Sequence, residues 1–316
     1  MKKGLLFLAL LGVILLIAGG AIFAYGIAHN KDEFVSKTYE ITDDFMDIEI
    51  DVDTSNIELK ESSDGKVKVV VEETTSEPHK VEVKSELSTL VITQEDNRKL
   101  HEKLFSFHFK KFSVTIYLPE GAYNKLKVKG DTGDLIVPEC FTFSSIIADM
   151  STGDVNIKSD VLAFIEIELS TGDTNIEGVS ANAIKVTAST GKISLENVKV
   201  TKEITLKAST GKTNLLNVKC DSLEISASTG KVNIEETKIN NNLKINVSTG
   251  DVNIKNSDAY SIKIKTSTGD VRAILLTSKI FYASSDTGKV SVPPTPGSGT
   301  CEVSTDTGDI IITISE

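Results

Sequence analysis

The sequence has no tryptophan, four histidines and two arginines, Arg98 and Arg272. General acid–base chemistry leans on histidine, and two-pronged binding of carboxylate or phosphate needs arginine, so both are thinly supplied. Residues 131–316 contain no histidine and one arginine. Positive charge is short as well: 34 Lys and Arg stand against 45 Asp and Glu, a formal net charge of −11. A chain of that sign is a poor match for a phosphate backbone, which excludes nucleic acid as the main partner. Cysteine is scarce, with three thiols at 140, 220 and 301.

What is present begins with an uncharged run, residues 4–28 (GLLFLALLGVILLIAGGAIFAYGIA). At about 1.5 Å per residue it reaches roughly 37 Å, enough for a hydrocarbon core of about 30 Å. A cleaved signal peptide has a shorter apolar core, about 7–15 residues, so the run predicts a retained N-terminal transmembrane helix. Residues 1–3 are then a cytoplasmic tip, because Lys2 and Lys3 stay inside. Everything after His29 lies outside, with residues 29–44 as a linker. The expected placement is a single pass through the cell membrane, N-terminus cytoplasmic and C-terminal part extracellular.

The rest of the chain is dominated by one pattern, Ser/Asp-Thr-Gly-Asp/Lys, which occurs ten times. Its glycines are 133, 153, 172, 191, 211, 230, 250, 269, 288 and 308, always 19 or 20 residues apart. Aligned on the glycine, Val, Ile and Leu recur seven and five residues before it and two and four after it, with polar residues between. That is period-two alternation on both sides of a turn. The parity slips by one at Thr-Gly, as it would at a corner where glycine takes a positive φ. A repeat near 19–20 residues fits one rung of a parallel β-solenoid, each strand pairing with its copy in the next rung. Propeller blades need about 40–45 residues. A membrane barrel needs apolar residues facing lipid, whereas these outer columns hold Asp, Lys and Asn. The predicted fold is therefore all-β: a parallel β-solenoid, single-stranded and β-helix-like, after one transmembrane helix. The regular STGD/STGK part spans 131–316. Residues 45–130 read as degenerate rungs, with Ser55 where a glycine belongs and a Phe/Lys-rich insertion at 97–112.

The anchor, the stretch VTIYLPEGAYNKLKV (114–128) and the serial STGD/STGK rungs together resemble the bacterial putative adhesin family of β-strand repeat proteins, a domain of unknown function. The resemblance covers roughly residues 40–316. It implies a solenoid-like β fold at the bacterial surface, and for some anchored members an association with cell-envelope stress systems. It brings no catalytic residues.

Candidate sites follow from the columns. Asp134, Asp154 and Asp173 succeed one another after the glycine and form a candidate cation ladder, since hard cations take carboxylate oxygens. One carboxylate per rung is sparse for calcium, and a solvated corner is the simpler reading. The asparagines three after the glycine read as a ladder of stacked amides, or as part of a glycan-contacting face. The threonine column sits at a corner, where its hydroxyls serve the turn. Cys140, Cys220 and Cys301 fall in apolar columns. Cys140 and Cys220 are about four rungs, roughly 19 Å, apart, too far for a disulfide. In the insertion, Phe105, Phe107, Phe109, Phe112, Lys110 and Lys111 are candidates for contact with a membrane surface or a partner. The competing reading is an end cap, with alternate Phe forming one buried strand face.

Parallel β-helices do host polysaccharide enzymes. Here the carboxylates recur at every rung and do not gather at one cleft, and nothing calls for a cofactor. The expected function is non-enzymatic: a membrane-anchored cell-surface solenoid, adhesin-like, that meets a wall glycan or an envelope protein. The alternatives are an accessory of a cell-envelope stress sensor and, less well supported, a polysaccharide-active β-helix enzyme.

Overall fold

The computed structural model describes residues 34–74, 78–84, 88–94, 112–294 and 297–315, together with Gly12, Gly19 and Gly20. Each regular repeat lays down a long strand, a Thr-Gly corner and a short strand. Around Gly211 these are Glu203–Thr210 and Thr213–Leu216. Ile204, Leu206, Ala208, Thr213 and Leu215 turn inward and are buried, while Lys207, Ser209 and Thr210 are exposed. Long strands stack in parallel into one sheet and short strands into another, and their apolar faces enclose one continuous core. Register is residue on counterpart: Ile184, Ile204 and Leu223 line up, as do Val186, Leu206 and Ile225. This is the parallel β-solenoid expected from the period.

Two corners shape each rung. At the first, the glycines take φ between 129° and 154°. They are also pressed against the neighbouring rung: a Cβ on Gly211 would stand 1.8 Å from the carbonyl oxygen of Gly191. Positive φ and this close approach both exclude a side chain. The second corner comes six residues later, where Gly178, Asn197, Asn217, Glu236 and Asn256 all have φ between 49° and 71°. Asparagine tolerates the left-handed region and glycine is free in it, which explains the residues chosen. A narrow third side follows, where Ser180–Ala181 pairs in parallel with Lys199–Val200.

Stacking follows the sequence over most of the rod, and departs from it at both ends. The glycines contact their neighbours in the order 133, 153, 172, 191, 211, 230, 250, 269, 308, 288. The last two rungs are thus exchanged: strand Thr300–Thr307 lies between Ser261–Thr268 and Ile280–Thr287. The exchange encloses the repeat that carries Val303, Ile310 and Ile312 and leaves outermost the one that carries Phe281, Ala283 and Val290. Cys301, Val303, Ile310 and Ile312 are buried, whereas Phe281, Ala283 and Val292 at the outer rung are only partly covered. In sequence, the segment 292–299 between the two exchanged rungs holds three of the six prolines.

At the other end, residues 47–61 form a true rung: Asp47–Thr54 pairs in parallel with the strand Gly121–Thr132, and Ser55 begins the corner column. Between 62 and 120, Thr89–Gln94 and Ser113–Leu118 still stack in parallel on Asp47–Thr54 and Asn56–Glu61, as degenerate rungs would, and the strands outside them depart from that expectation. Val67–Thr74 runs antiparallel to Ser113–Leu118, Phe34–Ile41 runs antiparallel to Val67–Thr74, and His79–Lys84 runs antiparallel to Thr89–Gln94. These antiparallel strands close the end of the core that the first rung would otherwise leave bare. The expected transmembrane segment, 4–28, lies outside the described residues apart from the three glycines. Among the described residues no helix is long and apolar enough to cross a membrane.

Two inner positions hold a misfit. Thr174 and Thr213 occupy the column filled elsewhere by Val155, Ile193, Val232 and Val252, and their hydroxyls have no hydrogen-bond partner among the described residues. A buried hydroxyl without a partner costs about 1–3 kcal/mol. Thr213→Val should therefore raise stability by about 1 kcal/mol, measured as an increase in the thermal or denaturant midpoint.

Candidate functional site

The residues after the corner glycines form a staircase. Asp134 Oδ1 accepts the backbone N–H of Asp154 (2.9 Å), Asp154 Oδ1 that of Asp173 (2.8 Å), and Asp173 Oδ1 that of Lys192 (2.7 Å). The same link recurs from Asp270 to Asp309 and from Asp309 to Lys289. The candidate cation ladder is thus a set of backbone caps, each carboxylate spending one oxygen on the next rung. Among the described residues no group of acidic, His or Cys side chains is arranged to hold a metal ion. The asparagine column behaves alike: Asn175 donates to Asn156 (3.1 Å), Asn233 to Asn214 (2.8 Å) and Asn253 to Asn233 (3.1 Å). A second amide step, Asn217 to Asn197 (2.7 Å), climbs the other corner. These amides hold rungs in register.

A different surface opens on the outer face of the long-strand sheet. A trough of about 390 Å³ crosses five rungs, from Thr187 to Ser267. One wall carries Lys207, Ser226, Asn246 and Lys265, the other Ser209, Ser228, Ser248 and Ser267. No acidic residue lines it. In the preceding rungs the Lys207 column holds Asp149 and Glu168, and in the rung stacked beyond the trough the serine column gives way to Asp306. The inward residues beneath its first three rungs are Ala188, Ala208 and Ala227, followed by Val247 and Thr266, where earlier rungs have Met150 and Leu169. Along the adjacent corner Asp gives way to Lys192, Lys212 and Lys231, so the middle rungs are locally basic in an acidic chain. Of these, Lys231 is paired with Asp251 (2.8 Å).

A third cluster sits at the capped end. Ser55 Oγ lies 3.2 Å from His79 Nε2, and His79 Nδ1 lies 3.2 Å from Glu73 Oε2. The Glu73 carboxylate also accepts the His79 backbone N–H and pairs with Lys37. The order Ser, His, Glu is that of a nucleophile, base and orienting acid. Ser55, however, is buried, and the backbone N–H groups of Ser55, Asn56 and Gly133 are committed to Thr132, Phe112 and Thr152. Among the described residues these three amides are therefore not free to hold an oxyanion. The cluster fastens the antiparallel cap to the first rung. Burial lowers the His79 pKa despite the nearby Glu73 carboxylate, and Lys37 with the His79 N–H holds Glu73 below its usual value despite burial. Sequence patterns alone did not point to this cluster, because its members are 18 and 6 residues apart on three unlike strands and corners.

Of the insertion residues, Phe105, Phe107, Phe109, Lys110 and Lys111 lie outside the described residues. Phe112 is buried and packs on Phe34, ring centroids 5.4 Å apart, which takes it off any contact surface and fits an end cap. The thiols of Cys220 and Cys301 are core residues, pushed up to about 12 by burial, and Cys140 is half-buried. All three are free, as the spacing predicted.

Two tests follow. Asp154→Ala removes the cap on Asp173 and should cost about 1 kcal/mol of unfolding free energy, while Asp154→Asn keeps an acceptor and should stay near wild type. For the cap, the folded chain binds fewer protons than the unfolded chain, since His79 and Glu73 both have lowered values. Stability should therefore be full above the ordinary histidine value of 6.5, fall as pH drops through it, and fall again below the ordinary glutamate value of 4.5. Melting curves from pH 8 to 4 on wild type and His79→Gln check this: the first loss should be missing in the variant.

Several solved structures are similar to this chain. A putative adhesin from Bacteroides fragilis NCTC 9343 is similar at 17% identity and TM-score 0.43, covering 89% of this chain and 97% of its own. A putative lipid binding protein from Parabacteroides distasonis ATCC 8503 is similar at 14% identity and TM-score 0.50, over 76% of this chain and 96% of its own. A putative adhesin from the same Parabacteroides strain is similar at 18% identity and TM-score 0.42, over 86% and 98%. No curated relative matches the sequence. The profile of one family, Toastrack DUF4097, a domain of unknown function, matches residues 45–313, and the chain belongs to that family.

Proposed function

We propose that the chain is a non-enzymatic, adhesin-like solenoid of the cell envelope that holds a linear, hydroxyl-rich, anionic polymer along its trough. The carrying observation is the trough itself: a serine-walled channel whose only charges are Lys207 and Lys265. Hydroxyls and amides exchange hydrogen bonds with a glycan's hydroxyl groups, and two ammonium groups favour phosphate or carboxylate substituents. A polymer lying along the rod meets a polar or cationic wall residue at every rung, about 4.8 Å apart. The uncharged run 4–28 supports a membrane anchor that places this face outside. The depletion of His and Arg over 131–316, and the commitment of the corner carboxylates to backbone caps, support a binding role over a catalytic one.

The experiment is a binding titration of the full chain, solubilised in mild detergent, against poly(glycerol phosphate), polygalacturonate and a neutral β-glucan. The anionic polymers should bind, and weaken with added salt. Lys207→Glu with Lys265→Glu should lower their affinity at least about tenfold with no change in melting temperature. Equal binding by wild type and double variant would remove the trough from consideration.

A further inference from the structure

The two ends of the rod are finished differently. At the N-terminal end the outermost strands are Phe34–Ile41 and His79–Lys84. They carry Lys37 and Glu40 on one and Lys80, Glu82 and Lys84 on the other. Charges on an edge strand oppose pairing with another chain. At the C-terminal end the outermost strands are Ile280–Thr287 and Val290–Ser291, each paired on one side only. From Ile280 to Ser285 this edge carries no charge, no proline and no bulge. The inward residue Val290 is 43% exposed, so among the described residues the end of the core is open. Large exposed apolar side chains collect here too: Tyr260, Ile274, Leu276, Ile280, Tyr282 and Ile311.

From this contrast we propose that the C-terminal end of the rod docks against the same end of a second copy, giving a closed two-fold dimer. Three observations select that occupant. An edge whose single charge, Asp286, lies near one end is compatible with its own copy, because antiparallel self-pairing centred on the strand sets Asp286 opposite an uncharged residue and not opposite itself. The charged, antiparallel cap at the other end blocks head-to-tail stacking, so association stops at two. The same sheets are already closed at their N-terminal ends by antiparallel strands, and antiparallel pairing of Ile280–Thr287 with its copy repeats that solution. The exchange of the last two rungs leaves outermost the strand whose only charge is Asp286, near its end, where pairing can cover it.

The test is the mass of the full chain in density-matched detergent by sedimentation equilibrium. Wild type should sediment at twice the 34.1 kDa chain mass. Ile280→Lys with Tyr282→Lys, both exposed outward positions, should sediment as a single chain with an unchanged melting temperature. Leu162→Lys, exposed but far from the end, should remain dimeric. As a second readout, Ser284→Cys should give a covalent dimer on mild oxidation, since the native thiols are largely buried. A single-chain mass for wild type across its soluble range would overturn the proposal. So would a dimer that survives the double substitution, or an assembly larger than two. A dimer that binds no polymer leaves this inference standing while the trough reading falls.

Discussion

Everything in this molecule depends on how closely one Thr-Gly corner can approach the next. At each corner the chain must reverse inward and outward faces, and must do so directly beneath the carbonyl of the neighbouring rung. With a built Cβ at 1.6–2.1 Å from that oxygen, glycine is the only residue that fits. The corner in turn fixes register: Gly153 N–H meets Thr171 O, Gly172 N–H meets Thr190 O, each at 2.9 Å. Once corners coincide, a slip by one residue would turn every Ile and Val of a strand to solvent, so the whole core is locked by one small column.

Register of that quality changes what outer residues do. An aspartate after the glycine lands one rung away from an otherwise available N–H, and an asparagine lands beside its own counterpart. Both become structural, although in sequence each resembles a ligand set. Like charges also stack, as with Lys199 and Lys219, held in register. At about 1 kcal/mol or less per pair in water, this is tolerable beside the burial of several aliphatic side chains per rung. Outer columns are therefore free to vary, and their composition carries specificity: acids flank the trough and hydroxyls fill it.

The period was legible because both the inner alternation and the glycine recur without gaps from 133 to 308. From it followed the parallel stack, the inward columns and the free thiols. Three features were not legible. The second corner lacks an invariant residue, since Asn197, Asn217 and Glu236 all serve, with only a Gly or Asn tendency as a signal. The exchange of the last rungs leaves the 20-residue spacing intact, because order in space is not encoded in spacing. Its trace is compositional, in the prolines at 293, 294 and 296 and in Ser284 and Ser285 of a weakly apolar strand. The Ser55–His79–Glu73 cluster depends on long-range docking of cap strands, whose alternation alone does not distinguish parallel from antiparallel partners. Of the proposed contact residues, the corner aspartates were found where expected and given a different task, and the trough came from the joint effect of five rungs.

A repeat protein of this kind has two ways to create a distinctive surface. It can vary a column over several rungs, as the trough does, or it can interrupt the stack, as both ends do. The first leaves the core untouched, because inward residues and corners are unchanged. The second spends core cover, since an interrupted stack exposes the inward columns. At the N-terminal end that exposure is answered within the chain by antiparallel strands and by a carboxylate, an imidazole and a hydroxyl that fasten them. At the C-terminal end the described residues show no equivalent cover, and the strand left outermost is the one that tolerates exposure best: its inward residues are Phe281, Ala283 and Ser285, not the Ile and Leu columns of the middle rungs. The exchange encloses Val303, Ile310 and Ile312 between two neighbours and leaves the smaller Ala283, Val290 and Val292 where cover is thinnest, while the Phe281 and Cys301 pair runs against that balance.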